Sequence, residues 1–210
     1  MLDELINANE KFLRCLDDSP LFALAESGYF SSEKSRKVLL AYLKIWSNEF
    51  QKMVMARVVF SQHLEYLELS YHHLKEEYGH NVRLSGEQSW KQEVWDPVLE
   101  ALGQWFTMKM MTLGDLERIV LVHLVREKAS AKFHQHFRPV FFNNDPKGYF
   151  QLHAEEDCHH ADMGIIILKK TLDQKKEPMN IDLLLQVQRQ AWAVIQAFHK
   201  HLAQLCLAVS

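Results

Sequence analysis

Apolar residues recur along this chain at intervals of three and four, the spacing that places side chains on one face of an α-helix. The alternation of apolar and polar residues that marks a half-buried strand is hard to find. We predict helices over residues 2–16, 32–53, 64–84, 90–111, 114–137, 149–171 and 180–208. The pattern therefore predicts an all-α protein, a compact bundle of about seven helices that forms a single domain over residues 1–210.

Short polar residues and glycines mark where several of these helices begin and end. Ser31 or Ser32, followed by an acidic residue, is a typical N-cap. We interpret Ser85-Gly86 as a break between two helices. The segment 139–148, which is rich in Asn, Asp and Pro, predicts a loop, and the polar residues 173–178 predict a linker.

Composition excludes several classes of function. The formal net charge is -3 at pH 7, so nothing indicates the basic surface that nucleic acids require. No apolar run is long enough to cross a bilayer. Residues 1–5 include the acidic Asp3 and Glu4 and lack the basic flank of a signal peptide. Cys15, Cys158 and Cys206 are too widely spaced for a disulfide framework or a zinc ribbon. We expect a cytoplasmic protein that binds neither membrane nor nucleic acid.

Histidines and carboxylates occupy an unusual place in the helical pattern. The chain contains 12 histidines, and none precedes His63. Two predicted helices carry the same template, His-x3-(Asp/Glu)-x2-His: His73, Glu77 and His80 in the first, His153, Asp157 and His160 in the second. Each triplet lies in the middle of a stripe whose two ends are apolar. We therefore interpret both stripes as facing the core, and we expect the two helices to be neighbours.

A buried ionised carboxylate is costly unless it is paired or coordinates a metal ion. A metal ion would compensate both triplets, because it balances carboxylate charge and accepts imidazole lone pairs. His73 and His80 are roughly 10.5 Å apart along a helix axis, so they need not share one ion. The alternative is that both helices face solvent, where pairs of His and Glu spaced by four residues stabilise exposed helices.

Glu127 is a candidate for a third carboxylate, one that bridges two metal ions. It comes shortly after a run of residues, 119–125, that is apolar except for His123, and it shares a helical stripe with His123. Glu127 could instead form a surface ion pair. His123 could be a ligand, a residue that supports a ligand, or a core histidine whose hydrogen bonds are satisfied.

The segments HHLKEEYGH (72–80) and HAEEDCHHADMG (153–164) resemble motifs of the haem-oxygenase-like fold. The nearest branch is that of the TenA/PqqC/CADD-like proteins, which includes the haem-oxygenase-like diiron oxidases. The resemblance implies metal ligands at the positions that match its three motifs: Glu77 and His80, then Glu127, then His153, Asp157 and His160. Many diiron members have a Glu where this chain has His73, which leaves the role of His73 open, and Glu76 could take the place of Glu77.

The resemblance also implies a function. It favours a non-haem oxidase or oxygenase that uses two iron ions and O2 to oxidise a small organic substrate. Haem oxygenase binds haem through a histidine in its first helix. Haem is not expected in this protein, because no histidine precedes His63. Two alternatives remain: a non-catalytic metal- or partner-binding protein, and a metal-free TenA/thiaminase-like enzyme. The sequence leaves open the catalytic residues, the sharing of ligands between two ions, and a homodimer.

Overall fold

The structure, a computed structural model, describes residues 2–85, 94–143, 145–174 and 180–208. Over these ranges the regular elements are helical and no β-strand occurs, which confirms the predicted all-α class. The elements are α1 (Leu2–Cys15), α2 (Pro20–Glu26), α3 (Glu33–Phe60), α4 (Leu64–Glu77), α5 (His80–Ser85), α6 (Pro97–Thr112), α7 (Asp115–Ile119), a π-helical segment (Val120–Glu127), α8 (Lys128–Phe137), α9 (Tyr149–Gln174) and α10 (Ile181–Ala208). Short 3₁₀ turns occur at Tyr29–Ser31 and Pro146–Gly148.

Capping residues explain where the helices begin. The Ser32 hydroxyl accepts a hydrogen bond from the backbone N–H of Ser35 at 3.1 Å, so the predicted N-cap of α3 is confirmed. The predicted start of the fourth helix at residue 90 is wrong for residues 94–96, because α6 begins at Pro97 with Asp96 as its cap. Proline lacks an N–H and therefore suits the first turn of a helix. Residues 90–93 lie outside the described residues, as does Gly86 of the predicted break.

Other boundaries differ from the predictions by a few residues. The short helix α2 was not predicted, although a serine cap followed by proline at its first position is a standard start signal. The predicted loop at 139–148 is confirmed for its described residues, which leave out residue 144. Helix α9 continues to Gln174, past the predicted start of the linker, and residues 175–179 lie outside the described part of the chain.

The prediction of one helix over residues 64–84 is wrong, because the chain turns at Gly79. Gly79 adopts φ = 86°, a left-handed conformation that glycine tolerates best, and α4 ends just before it. The Gln51 side chain holds this turn: its amide group donates to the Glu77 carbonyl at 2.8 Å and accepts from the Gly79 N–H at 3.1 Å. The turn places Glu77 and His80 at the ends of two consecutive helices.

The helix predicted over residues 114–137 is continuous, but its central part is π-helical. Residues 120–127 form this π-helical segment, and helical backbone continues into α8. Such segments are rare and are frequent at functional sites. The segment carries both Glu127 and His123, and it packs against α9 and α10.

Helix α9 approaches the π-helical segment closely because residue 164 is a glycine. A Cβ atom placed on Gly164 would lie 2.1 Å from Cβ of His123, a distance that real structures do not show. The close approach brings Nδ1 of His123 within 2.6 Å of the His160 carbonyl oxygen. Gly164 therefore sets the distance between two of the elements that carry predicted site residues.

Apolar residues at the ends of the predicted stripes are buried in the protein interior. Leu69, Leu84 and Phe150 are buried, whereas Tyr66 and Ile167 are half-buried. The largest apolar cluster includes residues of α3, α6, α8 and α10, among them Trp46 and Phe198. Among the described helices, none has the length and hydropathy that a membrane crossing requires.

Candidate metal centre

The two predicted triplets face each other in the interior, together with Glu127. Helices α4 and α5 carry the first triplet, α9 carries the second, and Glu127 enters from the end of the π-helical segment. All seven side chains belong to buried residues: His73, Glu77, His80, Glu127, His153, Asp157 and His160. The alternative that these two helices present their polar stripes to solvent is therefore wrong.

The first donor group consists of His73, Glu77, Glu127 and His160. Nδ1 of His160 lies 3.1 Å from a carboxylate oxygen of Glu77 and 3.5 Å from one of Glu127. Nε2 of His73 lies 3.3 Å from the other oxygen of Glu127. One nitrogen or oxygen atom of each residue lies within 4.8 Å of all the others, which is close enough to surround a single metal ion.

The second donor group consists of Glu77, His80 and His153. Nδ1 of His80 lies 3.2 Å from Oε2 of Glu77, whereas it is Oε1 of Glu77 that lies near His160. The imidazole rings of His80 and His153 have centroids 5.0 Å apart and are nearly perpendicular. Glu77 therefore belongs to both groups, with one oxygen directed to each, and His73 and His80 lie in different groups.

Asp157 lies behind the second group and connects two imidazoles. Its carboxylate accepts from Nδ1 of His153 at 3.0 Å and from Nδ1 of His134 at 3.2 Å. Such a carboxylate orients a histidine, because the contact to one ring nitrogen fixes the direction of the other. His134, Asp157 and His153 form a third set that is close enough for a metal ion. His134 was not predicted, although it lies seven residues after Glu127 on the same helical face.

Many polar atoms in these groups have no hydrogen-bond partner, although they are buried and close together. Among the described residues, such atoms include Nε2 of His73, both carboxylate oxygens of Glu77 and Glu127, Nδ1 of His80 and His160, and Nε2 of His134 and His153. Buried polar atoms are almost always satisfied, and leaving them unpaired is costly. Imidazole nitrogens and carboxylate oxygens that lie close together without forming hydrogen bonds are the donor set that a metal ion requires. The residues present therefore fit a metal centre.

Electrostatics keep both carboxylates of the first group ionised, because burial raises the pKa values of Glu77 and Glu127 less than the neighbouring imidazoles lower them. Burial alone would raise the pKa of Glu77, but the neighbouring imidazoles of His160 and His80 outweigh it and hold that pKa well below its usual value. The same carboxylates act in the opposite direction on His160: burial alone would lower its pKa, and Glu127 and Glu77 raise it to about 11. Without metal, a proton on His160 therefore supplies positive charge that a bound ion would replace.

Arg57 and His123 form a buried network beside the first group. Arg57 donates from one nitrogen to Nε2 of His123 at 2.8 Å and to Nδ1 of His73 at 3.3 Å. Nδ1 of His123 donates to the His160 carbonyl oxygen, and burial, with the charge of Arg57, holds the pKa of His123 well below its usual value. Both nitrogens of His123 are thus satisfied, so His123 is a core histidine that supports the site rather than a member of a donor group.

The same network affects His73. Because a guanidinium group only donates, Nδ1 of His73 accepts, and the proton of a neutral His73 lies on Nε2. That nitrogen faces Glu127. Nε2 of His73 is therefore placed to donate a hydrogen bond to the Glu127 carboxylate.

Glu76 lies at the rim of the site and contacts His160 from outside. Nε2 of His160 is 3.1 Å from one Glu76 oxygen, and Nε2 of the exposed His72 is 3.3 Å from the other. The side chain of Glu76 is 36% exposed, whereas that of Glu77 is fully buried in both donor groups. The structure thus places Glu77, not Glu76, in the cluster, and it gives Glu76 the position of a carboxylate that orients His160.

We expect Glu76→Ala to weaken metal binding about 10- to 100-fold, because losing a carboxylate partner of a ligating histidine has effects of this size. The measurement is a competition titration with Zn²⁺ and a chromogenic chelator. Glu155→Ala is the matched control, since Glu155 is an exposed glutamate of the same helix as His160. Equal affinities for the two variants would contradict the orienting role of Glu76.

His199 provides a test of pH dependence away from the donor groups. Burial, with the charges of Arg126 and His136, lowers its pKa to about 3, so His199 is neutral in the folded protein at pH 7. In the unfolded chain, His199 binds a proton as the pH falls through about 6.5, whereas in the folded chain it stays neutral until about pH 3. Protonation therefore favours the unfolded state, and the stability of the protein falls between pH 6.5 and pH 3. The loss attributable to His199 is on the order of 4 kcal/mol at pH 3.

We therefore expect the melting temperature of His199→Gln to fall less steeply between pH 6.5 and 3.5 than that of the unmodified protein. Thermal unfolding followed by circular dichroism across this range measures the slope. His159→Gln, at an exposed histidine, should keep the original slope. A His199→Gln protein with an unchanged slope would show that His199 titrates normally.

A cavity of about 30 Å³ lies beside the second donor group. At the end near the cluster it is lined by Glu77, His80 and His153, and it extends toward α10. Its volume corresponds to about two water molecules, so it is smaller than a typical substrate pocket.

Comparison with proteins of known structure supports the fold. A domain of unknown function with a heme oxygenase-like fold from Shewanella denitrificans OS217 superposes with a TM-score of 0.68, over 96% of this chain and 90% of that chain. The two sequences are 14% identical, so the likeness shows the fold alone. It confirms the predicted haem-oxygenase-like fold, whereas the closer resemblance to TenA/PqqC/CADD-like proteins stays a prediction.

Sequence comparison identifies a relative in Rickettsia prowazekii. No protein-family model matches the chain. The uncharacterized protein RP592 of Rickettsia prowazekii (strain Madrid E) is 40% identical over 205 residues, which cover 98% of this chain and 96% of that protein. At this identity and coverage, the chain belongs to the same family as the Rickettsia prowazekii protein, and it has the haem-oxygenase-like fold.

Proposed function

We propose that this protein is a non-haem oxidase or oxygenase that binds two iron ions in the buried cluster and uses O2 to oxidise a small organic substrate. One observation carries the proposal: two groups of unpaired buried donor atoms share Glu77. A carboxylate with one oxygen directed to each of two neighbouring sites is the arrangement that dimetal proteins use.

The two groups suggest how the ligands divide between two ions. Glu127 and His160 would bind one ion, and His80 and His153 would bind the other. Glu77 would bridge the two ions, whereas the sequence predicted that Glu127 would be the bridging carboxylate. His73 and Asp157 stay predicted ligands, although His73 is also arranged to donate to Glu127, and both oxygens of Asp157 contact imidazoles.

The donor types favour iron over softer metals. Both groups combine imidazole nitrogens with carboxylate oxygens, and neither contains a cysteine. Two histidines and one carboxylate form the set that binds ferrous iron with positions left open for O2, and the second group is such a set. Ferrous ions bound here would supply the electrons with which O2 is reduced.

The surrounding residues would hold the ligands in place and exclude water. Asp157 fixes the ring of His153, and Glu76 fixes the ring of His160. Because the seven predicted side chains belong to buried residues, bulk water reaches the cluster poorly. Such enclosure strengthens electrostatic interactions within the site and limits side reactions.

A non-catalytic metal-binding protein is the second candidate, and the small cavity favours it. An enzyme needs room for substrate beside the metal, whereas a structural site is closed and fully coordinated. A cavity of about 30 Å³ admits only a very small molecule unless side chains move.

Exposure of the ferrous protein to O2 distinguishes the two candidates. Protein loaded anaerobically with Fe²⁺ should develop new absorbance in the near-ultraviolet or visible range within seconds to minutes of mixing with O2. The unloaded protein is the control for light scattering, and Fe²⁺ in buffer without protein is the control for oxidation in free solution. Iron uptake without any spectral change on oxygenation would favour the non-catalytic candidate, and no uptake at all would contradict the metal centre.

A further inference from the structure

Arg126 is a buried cation whose partners are aromatic rings rather than acidic groups. Its guanidinium carbon lies 4.7 Å from the ring centre of Trp46 and 4.7 Å from that of Phe50. The residue is 7% exposed. Within the described ranges, Arg126 makes no hydrogen bond, and no carboxylate oxygen lies within 4.0 Å of it. Contacts with aromatic faces stabilise a cation only in part, and a buried charge without an ion pair is costly.

The unpaired guanidinium belongs to the same cavity as the second donor group. Arg126 lines the cavity of about 30 Å³ together with His80 and His153. Its other walls include the apolar side chains of Phe133, Ile195 and Phe198. A cation, residues of the candidate metal site and apolar side chains thus line the same cavity.

His134 adds an unpaired polar atom to this cavity. It lines the cavity, and its Nδ1 contacts Asp157, so its Nε2 is left buried without a hydrogen-bond partner. Arg126 and His134 lie eight residues apart on the continuous helix that runs from the π-helical segment into α8. Within the described part of the chain, the guanidinium group of Arg126 and Nε2 of His134 therefore both lack a hydrogen-bond partner at the same cavity, and both residues are more than nine-tenths buried.

The charge around the cavity favours an anion once metal is bound. Glu77, Glu127 and Asp157 are the buried carboxylates of the cluster. Two divalent ions, together with the guanidinium groups of Arg57 and Arg126, carry more positive charge than these three carboxylates balance. A further negative charge in the cavity would reduce this excess, and in a low-dielectric interior such compensation is strong.

We propose that the cavity binds the carboxylate group of a small organic acid, with Arg126 as its ion-pair partner. This inference deepens the proposed function, because it names an organic acid as the class of substrate. The planar guanidinium matches a carboxylate, to which it can donate two parallel hydrogen bonds. The small volume favours a small, singly charged carboxylate over a bulky, multiply charged anion.

Formate and formamide are matched probes for this site. They have the same number of heavy atoms and nearly the same shape, but only formate is charged. We expect formate to raise the melting temperature of the metal-loaded protein in a saturable way, and formamide to have no such effect. Inorganic phosphate is included as the competing anion, and binding of phosphate as tight as that of formate would overturn the choice of a carboxylate.

Two buried arginines provide the matched variants. Arg126→Met should weaken formate binding at least tenfold, and without formate it should melt no lower than the unmodified protein, because an unpaired buried cation is removed. Arg118 donates to Asp115 at 2.9 Å, so Arg118→Met should melt lower while it retains the formate response. An Arg126→Met protein that binds formate as well as the unmodified protein would overturn the proposal.

Metal content, measured on the same samples, separates this inference from the proposed function. Iron uptake by both the unmodified protein and Arg126→Met, without a formate response in either, would overturn the anion site and leave the metal centre intact. Formate binding that depends on Arg126 in a protein that takes up no iron would contradict the metal centre and support the anion site.

Discussion

Glu77→Gln should remove both metal ions at once, which is the largest effect we expect on binding. Glu77 belongs to both donor groups, with one oxygen facing His160 and the other facing His80. Glutamine keeps the shape but loses the negative charge and one acceptor, so neither group retains its carboxylate bridge. We expect the metal content of protein loaded with Fe²⁺ to fall from about two ions per chain to near zero.

Glu127→Gln is the matched variant, because Glu127 belongs to the first donor group alone. We expect it to lose one ion and to keep the ion of the second group. Elemental analysis after removal of excess metal gives both numbers, and circular dichroism checks that each variant keeps its helical content. If the two variants lost the same amount of metal, Glu77 would not bridge.

Gly164→Ala should produce the largest loss of stability. An added Cβ would lie 2.1 Å from Cβ of His123, an atom close to the backbone that cannot swing away. Helix α9 would have to move outward, which would break the contact between Nδ1 of His123 and the His160 carbonyl oxygen. Overpacking of this kind costs on the order of 3 kcal/mol, or roughly 10 °C in melting temperature for a chain of this length.

Thermal unfolding of the metal-free protein measures this cost without a contribution from bound ions. Asp162→Ala is the control, since Asp162 is exposed on the same helix two residues earlier and alanine favours helix. A Gly164→Ala variant as stable as Asp162→Ala would show that α9 does not pack against the π-helical segment as described.

Much of the fold could be predicted because helical periodicity and polar residues on a core face are local properties of a sequence. The stripes around His73 and His153 differ from an apolar core only in their centres, and that contrast indicated their burial. The break at Gly79 was missed because the apolar spacing continues through it. The turn at Gly79 is held by hydrogen bonds of the Gln51 side chain, which lies 28 positions earlier in the sequence.

The arrangement of the site could not be predicted in the same detail, because it depends on contacts between distant helices. Whether Glu77 or Glu127 bridges depends on the direction of two carboxylate oxygens, which spacing along a helix does not specify. The burial of Arg57 and Arg126 was equally inaccessible, because both residues lie in helical segments where an arginine is ordinarily a surface residue. The π-helical backbone of residues 120–127 has no signal in an apolar run.

Diffraction at the iron absorption edge from crystals loaded anaerobically with Fe²⁺ tests the central claim most directly. We predict two anomalous peaks in the protein interior, one beside Glu127 and His160 and the other beside His80 and His153. Glu77 should contact both. A single peak, two peaks elsewhere, or no peak among these side chains would contradict the proposed dimetal centre.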